Sequence, residues 1–148
     1  EKLEQADADA EEFIRKFNSG ELEILPGRTL KETLEAQLLQ LLNKARDETG
    51  DIVKEYSNKD NHYLVMIQSG ARGNMLNIAQ LSSCVGQQSM RGKRIETGYN
   101  QRTMSCFKKH DLMPIARGFI KSGFKHGLKP YEFFFGAMTG RDSLMDTA

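Results

Sequence analysis

The longest hydrophobic pattern of the chain follows the break at Pro26-Gly27. Apolar or small side chains recur every three or four positions at Leu30, Leu34, Leu38, Leu41, Ala45, Thr49, Ile52 and Tyr56. This spacing predicts one amphipathic helix of about 27 residues and about 40 Å in length. Thr29 and Glu32 have the spacing of a capping box at its start. Its single apolar stripe favours packing against neighbouring helices, and a coiled-coil arm is the alternative.

Shorter patterns predict further helices. Apolar positions within residues 3–18 predict an amphipathic helix that ends at Asn18-Ser-Gly20. Helices are also predicted over residues 76–85 and 115–124, and Pro130 is placed to open the last helix at its first turn.

Two segments lack a clear helical period. The apolar run at residues 62–67 is too short to assign to helix or strand. Residues 91–107 contain Gly92 and Gly98 and predict a loop with short extended pieces. The predicted fold class is therefore mainly α, with long amphipathic helices, irregular connections between about 86 and 114, and short β pieces.

Composition agrees with a globular protein, since 39% of the 148 residues are hydrophobic and 28% are charged. No apolar run approaches the roughly 20 residues needed to cross a bilayer, so no membrane partner is expected. No signal-peptide pattern opens the chain, which predicts a soluble, intracellular protein. Cys84 and Cys106 form no metal-binding pair and are expected to be free, mostly buried thiols.

Charge is distributed unevenly along the chain. Residues 1–60 carry 9 Lys and Arg against 15 Asp and Glu, whereas residues 61–148 carry 12 against 5. The C-terminal part is therefore suited to anionic partners, with an uneven but solvated surface as the alternative. The candidates for a phosphate-attracting surface are Arg91, Lys93, Arg94, Arg102, Lys108, Lys109, Arg117, Lys121 and Lys125.

Self-contained catalytic and metal sites are not predicted. Five residues separate Gly86 from Gly92 where a phosphate-binding P-loop needs four, and Arg94 stands where that loop requires Ser or Thr. The three histidines have no second ligand at metal-binding spacing. We therefore predict no catalytic residue and no metal ligand in this chain.

Three aromatic residues in succession mark the C-terminal segment. Phe133, Phe134 and Phe135 would span about 200° around a helix. Such a helix must be contacted on several sides, as expected for an element that crosses the middle of a larger assembly.

Three motifs, in fixed order, resemble the largest subunit of the multi-subunit DNA-directed RNA polymerases of archaea and eukaryotes. They are Gly70-Ala-Arg-Gly-Asn-Met-Leu-Asn-Ile-Ala-Gln80, Val85-Gly-Gln-Gln-Ser-Met-Arg-Gly-Lys-Arg-Ile95, and the segment from Pro130-Tyr-Glu-Phe-Phe-Phe to Asp146-Thr147. Pro26-Gly-Arg-Thr-Leu30 and Ala71-Arg72 are similar to the archaeal A′ subunit in particular. The resemblance implies a fragment of a larger subunit, with the funnel domain at residues 1–128 and a truncated start of the bridge helix at residues 129–148.

The resemblance also implies roles for individual residues. Arg72 matches a basic position at the pore through which nucleotides enter. Residues of the funnel wall that face the bridge helix correspond to Asn77, Gln80, Gln87, Gln88, Lys93 and Arg94. Bridge-helix positions correspond to Phe133, Phe134, Phe135, Gly136, Met138, Thr139, Gly140, Arg141 and Asp142.

The last motif departs from the usual family spelling, Glu-Phe-Phe-Phe-His-Ala-Met-Gly-Gly-Arg-Glu-Gly-Leu. Gly136 replaces the His, Thr139 the first Gly, Asp142 the second Glu and Ser143 the last Gly. Glycine inside a helix costs about 0.5–1 kcal/mol relative to Ala, and β-branched Thr is stiffer than Gly. The flexible point of this helix is therefore expected about one turn earlier than usual. Lys129 also replaces a usual Thr that would cap the helix.

By resemblance, the function is that of a part of DNA-directed RNA polymerase, a nucleotidyltransferase of DNA-templated transcription. The aspartate-rich loop that binds catalytic Mg²⁺ in these enzymes is absent, so no cofactor is expected in the chain and Mg²⁺ only in the complete polymerase. The isolated chain is expected to be inactive. Glu1 is not an initiator methionine and no cap follows the last helix, which favours a cut fragment.

The implied partners are other polymerase subunits, transcript-cleavage factors at the funnel, nucleoside triphosphates in passage and, in the complete enzyme, nucleic acid. The expected location is the cytoplasm of an archaeon, or the nucleus for a eukaryotic source. Two alternatives remain: a free-standing module that binds transcription factors, and a non-specific nucleic-acid binder that uses the basic C-terminal part. Stoichiometric co-purification with the other large subunit would favour the polymerase part over the free-standing module. A strongly salt-dependent affinity of the chain for RNA would favour the nucleic-acid binder.

Overall fold

The computed structural model describes residues 1–96 and 98–148. Within them, the helices are α1 (Lys2–Ser19), α2 (Leu30–Tyr56), α3 (His62–Gln68), α4 (Met75–Ser82) and α5 (Pro130–Thr147). Four strands of two residues each accompany them: β1 (Gly86–Gln87), β2 (Ser89–Met90), β3 (Lys93–Arg94) and β4 (Phe119–Ile120). The mainly α fold is confirmed. None of the described helices is both long and apolar enough to cross a membrane.

Helix α2 is the axis of the fold, and it begins and ends where its periodicity predicts. The Thr29 hydroxyl accepts a hydrogen bond from the Glu32 amide at 3.3 Å, and the Glu32 carboxylate accepts one from the Thr29 amide at 3.1 Å. This capping box satisfies two amides that the first turn would otherwise leave unpaired. Leu34, Leu38 and Leu42 are completely buried along the inner face.

Helix α1 packs antiparallel against α2. An ion pair of 3.5 Å between Lys2 and Glu48 joins the start of α1 to the later part of α2. Ala10 and Ile14 of α1 lie in one buried cluster with Leu34 and Leu38 of α2. Gly20 ends α1 with a left-handed φ of 78°, as the predicted Asn-Ser-Gly turn requires.

The predicted apolar stripe of α2 is wrong in its details. Leu42 is buried although it was not part of the predicted stripe, while Leu41 is partly buried against the same core. Ile52 and Tyr56 are 40% and 80% exposed. Helix α1 has 18 residues against the 27 of α2, so it cannot cover the last turns. Packing against neighbouring helices is confirmed: α1 covers the earlier part of α2, and α4 packs on the later part, where a Cβ at Gly50 would lie 3.2 Å from Ala79 Cβ.

The predicted helix over residues 115–124 is wrong. Residues Pro114–Arg117 form a single 3₁₀ turn, which ends at Gly118 with a left-handed φ of 95°. The following strand β4 pairs antiparallel with β1, with Gly86 opposite Ile120 and Gln87 opposite Phe119. Hydrogen bonding to a distant strand replaces helix formation here, and glycine permits the turn.

The remaining secondary-structure elements differ less from those predicted from the sequence. Residues 62–67 are helical within α3, and α4 ends at Ser82 instead of Val85. Strand β3 is one of the extended pieces predicted within residues 91–107, and it pairs with β2, with Ser89 opposite Arg94. Of the predicted loop at 91–107, Thr97 lies outside the described residues. The division between residues 1–128 and 129–148 stays a prediction, although α5 begins one residue after it.

A buried ion pair fastens β3 to α2. The Arg94 side chain is 1% exposed, and its Nε and Nη2 donate to the two carboxylate oxygens of Glu35 at 2.7 and 2.9 Å. Its Nη1 donates to the Leu112 carbonyl at 3.1 Å. Desolvation raises the pKa of Glu35, but the hydrogen bonds and charge of Arg94 outweigh it, so the pKa lies below its ordinary value. One guanidinium therefore holds three segments together.

We expect Arg94→Met to lower the free energy of unfolding of the purified chain by about 2 kcal/mol, less than for a fully buried pair, because the Glu35 side chain is 28% exposed and is left without its partner. Arg15→Met is the matched control, since Arg15 is exposed. Chemical denaturation monitored by circular dichroism measures both. Equal effects of the two substitutions would show that the ion pair does not stabilise the fold.

The same pair predicts a pH dependence. A carboxyl group with a lowered folded-state pKa stabilises the fold above its unfolded pKa, which is about 4.3 for Glu. That contribution is lost as pH falls through the folded-state pKa. The difference in stability between the wild-type chain and Arg94→Met should therefore shrink on acidification below about pH 4.3.

Candidate functional site

Arg72 lies on the exposed loop between α3 and α4. Gly70 and Gly73 flank it with left-handed φ values of 75° and 81°. The Asn74 side chain then caps α4 by accepting a hydrogen bond from the Asn77 amide at 3.1 Å. No carboxylate of residues 1–96 and 98–148 lies within 4.0 Å of the Arg72 guanidinium. Its charge is therefore available to an anion from outside these residues.

The two predicted wall residues of α4 have different environments. Asn77 is exposed, whereas Gln80 is half-buried. The Gln80 side-chain amide donates to the Val85 carbonyl at 3.4 Å, and its backbone carbonyl accepts from the Phe124 amide at 3.1 Å. Gln80 therefore braces the segments beside α4, while Asn77 presents its amide to solvent.

Gln87 and Gln88 hold β1 to the strand region opposite. Gln87 is buried, and its Nε2 donates to the carbonyls of Gln88 and Arg117 at 2.6 and 2.8 Å. The Gln88 amide donates to the Gly118 carbonyl at 2.9 Å. Among the residues that the structure describes, the buried Gln87 Oε1 has no hydrogen-bond donor. Gln87 thus braces β1 against the segment around Arg117.

The alternation of strand β3 separates its two basic residues. Lys93 is exposed, and Arg94 is buried in its pair with Glu35. Arg117 is also buried, with 8% exposure, and its Nε donates to the Asp111 carbonyl at 2.8 Å. Burial lowers the pKa of Arg117, and the charge of Arg94 lowers it further. Arg94 and Arg117 therefore do not belong to the exposed basic surface that the sequence suggested.

The N-terminal cap of helix α5 was not predicted from the sequence. Pro130 is the first helical residue, and Lys129 has no side-chain oxygen to cap the turn. The buried Glu132 carboxylate instead accepts a hydrogen bond from the Lys129 amide at 3.1 Å. This bond replaces half of a capping box.

One face of α5 packs on the loop that precedes it. Phe135 is 1% exposed and stacks on Phe107 with ring centroids 6.0 Å apart. Tyr131 meets the same ring edge-on at 5.4 Å. Phe133 and Phe134, by contrast, are 67% and 53% exposed. Within the described part of the chain, contact on several sides of this aromatic triplet is therefore not found.

The rest of α5 continues without a break. It is helical through Gly136 and Gly140, and a Cβ at either position would meet no atom within 4 Å. The Thr139 hydroxyl donates to the Phe135 carbonyl at 3.0 Å. Met138 is partly buried and Arg141 is exposed. An earlier flexible point in this helix stays a prediction.

The structure brings some of the predicted residues together. Arg91, in the turn between β2 and β3, pairs with Asp142 of α5 at 3.5 Å. Gln87 and Gln88 lie one strand earlier in the same region. In the described part of the chain, no hydrogen bond or ion pair joins Arg72 to α5. The strand region and α5 form one unit, and Arg72 lies on a separate loop.

Glu35 and Phe107 were missed as important residues by the sequence analysis. Glu35 lies outside the predicted apolar stripe of α2, and Phe107 ends the segment that was predicted to be a loop. Their partners are distant in sequence, since Glu35 and Arg94 are 59 positions apart. No local period marks such a pair. Of the two cysteines, Cys84 is buried as expected, whereas Cys106 is exposed.

Comparison with known proteins identifies the family. The family described as "RNA polymerase Rpb1, domain 4" matches residues 14–120. DNA-directed RNA polymerase subunit Rpo1N of Methanothermobacter thermautotrophicus is 51% identical over 147 residues, which are 99% of this chain and 17% of that protein.

Two further relatives have the same description. The Rpo1N subunit of Halococcus morrhuae is 49% identical over 148 residues, covering 100% of this chain and 42% of its own length. That of Sulfolobus acidocaldarius is 48% identical over 147 residues, covering 99% of this chain and 17% of its own length. The chain thus spans less than half the length of these archaeal relatives. It belongs to the family of the largest RNA polymerase subunit, and it is similar to the N-terminal part of that subunit.

Proposed function

We propose that this chain forms part of the funnel wall through which nucleoside triphosphates reach the active centre of DNA-directed RNA polymerase. In this proposal α5 is the start of the bridge helix. The chain supports nucleotidyl transfer and DNA-templated transcription by building a passage and a strut, and it does not form the bonds.

The exposed apolar surface of α5 carries this proposal. Phe133 and Phe134 are 67% and 53% exposed, and Leu144 and Met145 are 69% and 76% exposed. Apolar exposure of this extent along one helix is typical of an interaction surface. Because Phe135 already packs on Phe107, the helix is contacted on one side by this chain. The remaining polymerase would cover its other sides.

The funnel residues divide into two roles in this proposal. Exposed Arg72, Asn77 and Lys93 present donors and charge to the passage, where Arg72 would hold triphosphate oxygens briefly. Buried Gln87 and Arg94 keep the wall in shape by joining segments that are distant in sequence. Gln80 belongs to the second group, and Gln88 joins β1 to Gly118.

The chemistry would be supplied by other parts of the polymerase. Among residues 1–96 and 98–148, no three His, Cys, Asp or Glu side chains are grouped so that they could hold a metal ion. In this proposal the catalytic Mg²⁺ of the complete enzyme is bound elsewhere, and the isolated chain does not extend RNA. Other polymerase subunits and nucleic acid would be its partners, with transcript-cleavage factors docking on the funnel. It would act in the archaeal cytoplasm, or in the nucleus if its source is eukaryotic.

Two matched phenylalanine substitutions test the proposed role of α5. In the isolated chain, Phe135→Ala should lower the free energy of unfolding by about 3 kcal/mol, because it removes a buried ring. Phe133→Ala should change it by less than about 0.5 kcal/mol, because that ring is mostly exposed. In the assembled polymerase, Phe133→Ala should impair RNA extension although the isolated chain is stable.

Denaturation curves and transcription assays of the two variants separate the possible results. Normal transcription with Phe133→Ala together with Phe134→Ala would show that the exposed face has no partner in the enzyme. The proposed position of α5 would then be wrong.

A charge reversal at Arg72 tests the passage. In the polymerase that carries this chain, Arg72→Glu should raise the apparent KM for nucleoside triphosphates by about tenfold, the size expected for loss of one charge-assisted contact. The rate at saturating nucleotide should change little. Arg72→Lys should restore most of the KM, and Lys59→Glu, at another exposed loop, is the charge-matched control. An unchanged KM in Arg72→Glu would show that Arg72 does not contact nucleoside triphosphates and has a role only in its loop.

A further inference from the structure

A cleft of about 620 Å³ lies between the start of α2 and strand β3. Its volume is within the range of small-molecule sites, roughly 300–1,000 Å³. Arg28, Lys31 and Glu32 line it from the side of α2, and Lys93, Glu96 and Arg117 line it from the opposite side. The Arg94–Glu35 pair also contributes to its wall.

The charges that line this cleft are unbalanced. Arg94 and Glu35 neutralise each other, which leaves four cationic side chains against the carboxylates of Glu32 and Glu96. The Glu32 carboxylate already accepts a hydrogen bond from the Thr29 amide. The positive end of the α2 dipole adds to the excess of positive charge.

Arg117 supplies an independent observation. Its side chain reaches the cleft wall, yet the residue is only 8% exposed. Its Nε donates to the Asp111 carbonyl, and its terminal nitrogens are not among the fully buried atoms of the described residues that lack a partner, so they reach solvent at the cleft wall. No carboxylate in the described part of the chain lies within 4.0 Å of the guanidinium. Burial and the charge of Arg94 lower the pKa of Arg117 and outweigh the favourable charges of Glu35, Asp111 and Glu96, so an anion bound at the cleft wall would stabilise the charged guanidinium.

We propose that this cleft binds a phosphate group, either as free phosphate or as part of a mononucleotide. The Arg117 guanidinium offers a planar pair of donors at the wall, a geometry that matches two phosphate oxygens. Lys31 and Lys93 add mobile ammonium groups at the exposed rim. The site goes beyond the proposed funnel function and does not depend on it, because described residues of this chain form the cleft.

The test uses the native protein that carries this chain. Equilibrium dialysis with radiolabelled inorganic phosphate and with AMP measures binding, and adenosine serves as the ligand without phosphate. The double variant Lys31→Gln with Lys93→Gln should weaken phosphate and AMP binding at this site by at least about tenfold. Lys54→Gln with Lys59→Gln, two exposed lysines outside the cleft, should leave the affinity unchanged.

The pattern of affinities identifies the ligand class. Tighter binding of AMP than of phosphate, without binding of adenosine alone, supports a mononucleotide, and equal affinities support free phosphate. Equal losses in the two lysine variants would overturn the proposal, as would the absence of saturable phosphate binding up to about 10 mM. Arg117→Lys, which keeps the charge without the planar donor pair, should also weaken binding. The lysine variants preserve the test if that variant does not fold.

Discussion

The bidentate ion pair between Arg94 and Glu35 holds the irregular part of the molecule on its helical axis. Strands of two residues contribute few backbone hydrogen bonds, so they cannot fix the position of a long connection by themselves. The Arg94 guanidinium instead bonds to α2 and to the Leu112 carbonyl at once. A charge pair removed from water in this way costs solvation, but it permits little alternative packing of the segments it joins. Gly86 reinforces the constraint, since a Cβ there would come within 2.8 Å of Arg46 Cδ.

Sequence patterns predicted the structure correctly where it depends on residues that are close in sequence. The bounds of α2, its capping box and the Pro130 start of α5 follow from residues within one or two helical turns. Sequence patterns were insufficient where distant segments decide the outcome. Residues 115–124 resemble a helix locally, but the β1–β4 pairing and the glycine turn at Gly118 impose a different conformation. No periodicity in a single segment contains that information.

The candidate site residues also show that motifs predict the positions of residues, whereas distant residues decide their burial. The motifs located Arg72, Asn77 and Lys93, and all three are exposed. They gave no indication that Gln87 and Arg94 are buried, because burial depends on Arg117 and Glu35 far along the chain. A family motif therefore gave the position of a residue without giving its environment. Assigning a residue to a channel surface requires the packing around it as well as the motif.

The close approach at Gly123 has a consequence for the start of α5. A Cβ at this position would lie 2.8 Å from the Leu81 carbonyl oxygen, so the chain passes directly against the end of α4. Phe124 and Lys125 donate backbone hydrogen bonds to Gln80 and Leu81 at 3.1 and 3.0 Å. The segment that enters α5 is therefore anchored to the end of α4 at residues 123–125, and only residues 126–129 separate that anchor from the start of α5.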